Sequence, residues 1–223
     1  MNKKIVKKNE SKTFTIVIAV VVVFFLGLVI LSIQDKNEGE KERSAVAEEG
    51  SSNYYGKSDS PVTLTEFVDF QCEACYAYYP IVKELKEKYK DRVRFQIRNF
   101  PISSSHQFAT QAAHSAEAAG RQGRFFEMHD KIFEGQKIWE RSADPTSYFE
   151  SYAQDIGLDM DQFRADVDSA DVAQVVNKDL QDVQDLGGTG TPTFVLNGVR
   201  IDSPPQTIDD FSKILDDALA QAG

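Results

Sequence analysis

Apolar residues are distributed along the chain in two different ways. From Phe14 to Leu31 they form an uncharged run of mostly Val, Ile, Leu and Phe, which reaches twenty residues with Ser32 and Ile33. At about 1.5 Å per residue, such a run crosses the ~30 Å hydrocarbon layer of a bilayer. Lys3, Lys4, Lys7, Lys8 and Lys12 precede it, and a mixed, acidic stretch follows. The excess of cations before the run predicts a cytoplasmic flank at 1–12, a transmembrane anchor at 13–33 and an extracytoplasmic remainder. A cleaved signal peptide is the competing reading, but it has a shorter apolar core and a small-x-small site close behind it. The nearest such site here, Ala45-Val46-Ala47, lies well past the run. Residues 34–59 are rich in Glu, Lys, Ser, Gly and Asn and nearly free of large aliphatics, which predicts a flexible tether.

After residue 60 the pattern becomes periodic. Val62–Phe70 is β-branched and aromatic with few polar residues on either face, as in a central strand. From about Ala74 to Lys90 the period changes, with Tyr78, Ile81, Val82, Leu85 and Tyr89 recurring at three and four, which predicts an amphipathic helix kinked at Pro80. Val93–Phe100 is a second strand, and a connection of this length favours a parallel pair. A helical block follows over about 105–186. Its helices end near Gly120, Gly135, Gly157 and Gly187-Gly188, and Asp159 caps the one at Met160–Val167. Pro192–Leu196 then reads as a strand, Asn197-Gly198 as a hairpin turn and Val199–Ile201 as the return strand. Thr207–Ala220 reads as a closing helix.

Charge and cysteine content narrow the function. The formal charge is −10 over 223 residues, with only two cysteines. The negative balance falls mainly after residue 59, in a region that would repel nucleic-acid phosphates, and no basic stripe or finger spacing is present. Two cysteines are too few for a disulfide-stapled exported domain. Both lie in Cys72-Glu73-Ala74-Cys75, where a strand ends and a helix begins. There the free N–H groups and the helix dipole favour a thiolate at Cys72, which makes Cys72 the nucleophile and the deeper Cys75 the resolving sulfur. A structural zinc site needs about four ligands, and His106, His114 and His129 are not clustered with the pair. A two-thiolate copper site and an inert disulfide remain as alternatives. Glu66 is a lone carboxylate in an apolar strand; burial would raise its pKa and fit it for proton transfer, as an acceptor. An edge position reaching solvent is its plain alternative. Trp139 and the other aromatic residues of the helical block read as packing.

Phe67 through Pro80 resembles the active-site segment of the DsbA-like branch of the thioredoxin superfamily, and Gly190 through Gly198 resembles its second signature. The resemblance covers roughly 60–220. It implies an α/β thioredoxin-like fold with a helical insertion, here following a single transmembrane helix. It also implies that Cys72 and Cys75 are the redox pair, and that Pro192 is a cis-proline facing them and holding substrate. By the same resemblance Thr191 modulates redox behaviour through a backbone contact, and Glu66 is the buried acid near Cys75. The dipeptide Glu73-Ala74 departs from the Pro-His of the best-known member, so these two positions tune the potential. The implied function is introduction of disulfides into cysteine-containing exported proteins by a monomeric enzyme without a cofactor. Reoxidation would fall to a membrane quinone-linked partner. The alternatives are a reductase or isomerase on the same fold, and a non-enzymatic chaperone or metallochaperone. The implied location is the cell membrane, with the catalytic domain outside.

Overall fold

In the computed structural model, residues 50–222 are described, and the run at 13–33 lies outside them. The strands are β1 (Tyr54–Gly56), β2 (Thr63–Val68), β3 (Arg94–Asn99), β4 (Thr193–Leu196) and β5 (Val199–Arg200). They form one sheet in the order β1-β3-β2-β4-β5. β2 and β3 pair in parallel, and the pairings β1–β3, β2–β4 and β4–β5 are antiparallel. β2 lies at the centre, which explains its lack of a polar face. Residues Leu64, Glu66 and Val68 share one face with Phe95, Ile97 and Phe194, while Thr65 and Phe67 share the other with Gln96, Arg98 and Val195.

Helices cover both faces. α1 (Glu73–Tyr89) connects β2 to β3 and runs through Pro80 as one helix. The insertion contributes α2 (Ala109–Gly120), α3 (Phe125–Trp139), α4 (Thr146–Asp155), α5 (Met160–Val167) and α6 (Ala170–Asp185), and α7 (Ile208–Ala222) closes the chain. Val82, Leu85 and Tyr89 of α1 pack with Leu64, Phe95, Phe194 and the α7 residues Phe211 and Leu215. A second core joins Val68, Phe70, Cys75 and Ile97 to α2, α3, α4 and α5. On the far face Phe67 and Val195 meet Val183. Asp159 caps α5 by accepting from the N–H groups of Asp161 and Gln162, both at 3.0 Å. Asn197 and Gly198 turn the β4–β5 hairpin at φ 49° and 80°, the left-handed pair that a tight hairpin requires.

Three features differ from the sequence expectation. The fold begins before residue 60, because β1 adds an edge strand to β3 and Ser51 is buried. α3 passes through Gly135 to Trp139. There a Cβ would stand 2.0 Å from the Tyr152 hydroxyl, so this glycine marks close helix packing and not a helix end. The transmembrane helix is also corrected. Among the described residues no helix is long and apolar enough to cross a membrane. The fold is therefore mixed α/β, thioredoxin-like with a helical insertion. The membrane anchor, and the single-pass location drawn from it, are not carried forward.

Polar side chains hold the insertion to the sheet. Arg98 and Asp179 pair at 2.7 Å, and Arg98 and Asp182 at 2.5 Å, with all three side chains fully buried. Ser51 Oγ lies within hydrogen-bonding distance of both Asp179 and, at 2.8 Å, Glu117. Asn99 Nδ2 reaches the same two carboxylates at 2.9 and 2.6 Å. Burial, and then Asp179, push the Glu117 pKa up.

Candidate active site

The chain leaves β2 through a turn fixed by its own side chains. Asp69 is buried; its Oδ1 accepts from Gln71 N–H, and its Oδ2 accepts from Ile102 N–H, each at 2.8 Å. His106 Nδ1 lies 2.7 Å from the same Oδ2. Gln71 Oε1 accepts from Phe108 N–H at 2.8 Å, so the loop after β3 is tied to the turn. From the insertion, Gln136 Nε2 donates to the carbonyls of Phe70 at 2.8 Å and Cys72 at 3.2 Å. Gln136 is fully buried.

Cys72 is the N-cap of α1 and is half-buried, while Cys75 is buried in the first turn. Both are free thiols here. The Cys72 pKa is brought down to about 5, chiefly by the hydrogen bond from Cys75, with Thr191 and the N–H groups of Cys75 and Ala74 assisting against burial. Burial, followed by the neighbouring Cys72 sulfur, pushes Cys75 well up. The pair is thus divided into an ionised, reachable sulfur and a protonated, enclosed one. This is the asymmetry that a nucleophile and a resolving thiol require.

β4 runs antiparallel to β2 with Thr193 opposite Phe67, which brings the residues before β4 to the cysteine turn. The Thr191–Pro192 peptide bond is cis. In the thiol form Cys72 donates to the Thr191 carbonyl at 3.5 Å. The Thr191 hydroxyl is buried without a hydrogen-bond partner among the described residues, so it is available to a thiolate at Cys72. Glu73 and Ala74 are exposed.

Glu66 lies between Ile97 and Phe194 on the α1 face of the sheet and is 4% exposed. Burial pushes its pKa from 4.5 to about 8, against the opposing charge of Lys86. At neutral pH it therefore holds its proton. When ionised, its carboxylate pushes Cys75 up further. Lys86 is itself buried, with its Nζ 4.2 Å from the Phe126 ring centroid, and burial lowers its pKa.

The structure gathers Cys72, Cys75, Glu66, Thr191 and Pro192 around one end of β2. The three histidines are dispersed: His106 is at the turn, His114 Nδ1 is 3.1 Å from the Val167 carbonyl, and His129 is enclosed by aromatic rings. Among the described residues no group of three or more His, Cys, Asp or Glu is placed to hold a metal ion. Trp139 is fully buried and donates to the Ile132 carbonyl at 2.7 Å, as a packing residue does. Asp69, Lys86 and Gln136 lie at or beside the site, and the sequence did not single them out. Lys86 follows Val82 by four, and Gln136 follows Ile132 by four, so both lie next to inward helical positions.

The sequence model of the thioredoxin family matches residues 48–217. Among curated proteins, a Na(+)/H(+) antiporter NhaA 3 of Salinispora tropica is 38% identical over 168 residues, which is 75% of this chain and 24% of that protein. The chain thus spans about a quarter of that relative's length. Among solved structures, a thioredoxin-like oxidoreductase from Silicibacter pomeroyi is 24% identical with a TM-score of 0.63, covering 74% of this chain and 91% of that one. The thiol-disulfide exchange protein alpha-DsbA2 from Wolbachia pipientis is 22% identical with a TM-score of 0.65, covering 82% and 97%. These two likenesses are likenesses of fold.

Proposed function

The chain belongs to the thioredoxin family, and from that premise we propose that it is a DsbA-like protein thiol–disulfide oxidoreductase that oxidises cysteine pairs in other proteins. The observation that carries this reading is the contrast between the two sulfurs, with Cys72 at about 5 and Cys75 pushed well up. A low-pKa thiolate is a good leaving group, so a disulfide through Cys72 passes readily to a substrate.

The cycle starts from the Cys72–Cys75 disulfide. A substrate thiolate attacks Cys72, the bond to Cys75 breaks, and Cys75 leaves as a thiolate that takes a proton from Glu66. A second substrate thiolate then attacks the substrate sulfur of the mixed disulfide and releases Cys72 as a thiolate. The substrate leaves as a disulfide and the enzyme as a dithiol. Pro192 and the Thr191 carbonyl present backbone to the substrate chain beside Cys72. A quinone-linked thiol oxidase, as the family implies, restores the disulfide.

The test is equilibration of the protein with glutathione at defined ratios, together with oxidation of a reduced, unfolded protein that has paired cysteines. A potential well above about −200 mV with catalysed oxidation is expected. A potential near about −270 mV, with disulfide reduction instead, would assign the same site to a reductase.

A further inference from the structure

Asp69 touches both halves of the redox turn. Pairing with β4 stops at Phe67 and pairing with β3 stops at Val68, so Asp69 stands just past both ladders. Its carbonyl accepts from the Cys72 N–H at 3.1 Å, which closes a four-residue turn. Its own N–H hydrogen-bonds the Cys75 sulfur. Burial, the Cys72 sulfur and the Glu66 carboxylate all push the Cys75 pKa up, and this N–H opposes them.

The chemistry calls for such a donor. Cys75 departs as a thiolate when Cys72 is attacked, and it must become a thiolate again to close the ring. A buried anion without a hydrogen bond is costly, and a fixed N–H aimed at the place where charge develops offsets that cost in a dry site.

The Asp69 side chain keeps that backbone still. It is fully buried. Oδ1 accepts from the Gln71 N–H at 2.8 Å, an Asx-turn bond that fixes the main chain leading into Cys72. Oδ2 accepts from the Ile102 N–H at 2.8 Å and lies 2.7 Å from His106 Nδ1. The loop after β3 folds back on itself there, with the N–H groups of Ser105 and His106 both donating to the Ile102 carbonyl at 2.9 Å. The carboxylate therefore ties the redox turn to a second turn, and a satisfied buried network of this kind is rigid.

We propose that the Asp69 main-chain N–H stabilises charge on the Cys75 sulfur during the dithiol cycle, and that the Asp69 carboxylate is the positioning group that aims it. The inference rests on the oxidoreductase reading above. In ring opening a thiolate attacks Cys72, its bond to Cys72 forms as the Cys72–Cys75 bond breaks, and the electron pair goes to Cys75, which faces the Asp69 N–H. In ring closing the Cys75 thiolate attacks Cys72 in the mixed disulfide, and the partner sulfur leaves as a thiolate. One donor serves both directions, so it sets the rates and not the equilibrium between mixed disulfide and ring.

The experiment uses the full chain and glutathione at pH 7. Stopped flow on reduced protein with oxidised glutathione gives attack by Cys72 and then ring closing by Cys75; oxidised protein with reduced glutathione gives ring opening. In Asp69→Ala the N–H remains but loses its aim, so ring closing and ring opening should both slow by about tenfold, short of the ~10²–10³ for outright loss of a donor to a developing anion. The ratio of the two rates, and the rate of attack by Cys72, should stay within about twofold of the parent. Asp69→Asn keeps the acceptor for Gln71 but sets an amide against the Ile102 N–H, so its rates should fall between those of the parent and Asp69→Ala; it decides the matter if Asp69→Ala does not fold. Ring closing within about twofold of the parent in Asp69→Ala would overturn the proposal. So would slow ring closing with ring opening unchanged, because Asp69 would then be only a strut of the turn. The hydrogen bond is read independently from the Asp69 amide proton by NMR. That resonance should lie further downfield in the reduced parent than in Cys75→Ala, and an unmoved resonance would overturn the proposal whatever the rates. A parent protein that does not exchange with glutathione at all would instead refute the oxidoreductase reading.

Discussion

Glu66→Gln should make the protein more stable, although it impairs the chemistry. Glu66 titrates at 4.5 when exposed to water and at about 8 in the fold. Below pH 4.5 both states hold the proton, and folding loses nothing at this position. Between 4.5 and about 8 the unfolded chain ionises and the folded chain does not, so stability falls by about 1.36 kcal/mol per pH unit and levels off above about 8. At pH 7 the accumulated loss is about 3 kcal/mol, large against the total stability of a domain this size. Gln has nearly the same shape and no proton to lose, so the variant should exceed the parent by about that amount at pH 7 and by nothing at pH 4. The assay is urea unfolding of both proteins at pH 4, 5.5, 7 and 8.5 in the oxidised form, where neither sulfur titrates. A variant no more stable than its parent at pH 7 and 8.5 would refute the reasoning. So would a difference that does not change with pH, because that would mean Glu66 is ionised, or reaches water, in the folded protein.

Other consequences can be checked individually. Thiolate absorbance of the reduced protein should show Cys72 ionising near pH 5. Because that pKa lies below the thiol's ordinary 9.0, the associated stability of the reduced form is complete above pH 9 and is lost as pH falls through about 5; a midpoint at or above 8 would contradict this. Gln136→Leu removes both donors to the cysteine turn and should cost about 1–3 kcal/mol while moving the Cys72 midpoint upward; an unmoved midpoint would limit Gln136 to packing. Asp179→Asn breaks the buried pair with Arg98 and should destabilise by about 3–5 kcal/mol in urea unfolding, whereas a loss under 1 kcal/mol would show that water reaches the pair. Gly135→Ala forces the Tyr152 hydroxyl aside and should cost about 1–3 kcal/mol in the same assay, with no change at Cys72.

The redox turn was legible because two strong signals coincide there. A continuous β-branched and aromatic run gives way to a spacing of three and four where Cys72 and Cys75 stand, and Glu66 is conspicuous as an acid in the middle of that run. The start of the fold was not legible. Three residues at Tyr54–Gly56 are too few to show a period, and Ser51 and Asn53 have the composition of a tether. Their placement depends on bonds to Glu117 and, for Ser51, Asp179, far along the chain. Gly135 misled because a helical glycine marks either an end or a close neighbour, and only the position of Tyr152 distinguishes the two. Lys86 and Gln136 have residue types that usually face water. Their burial follows from how α1 and α3 rotate against the sheet, which no local window contains.

The polar bonds that join Ser51 and Asn99 to Asp179 also constrain the order in which the protein can be completed. Ser51 and Asp179 are 128 positions apart. A ribosome delivers the amino-terminal end first, at about 5–20 residues per second. β1, β2 and β3 therefore emerge before the helix that carries Asp179, and Ser51 and Asn99 wait for that acceptor. Until then the far face of the sheet lacks its cover and its outer strand lacks a fastening. An incomplete chain of this protein is thus a poorly closed chain, and its native form is reached only when nearly all of it has left the ribosome.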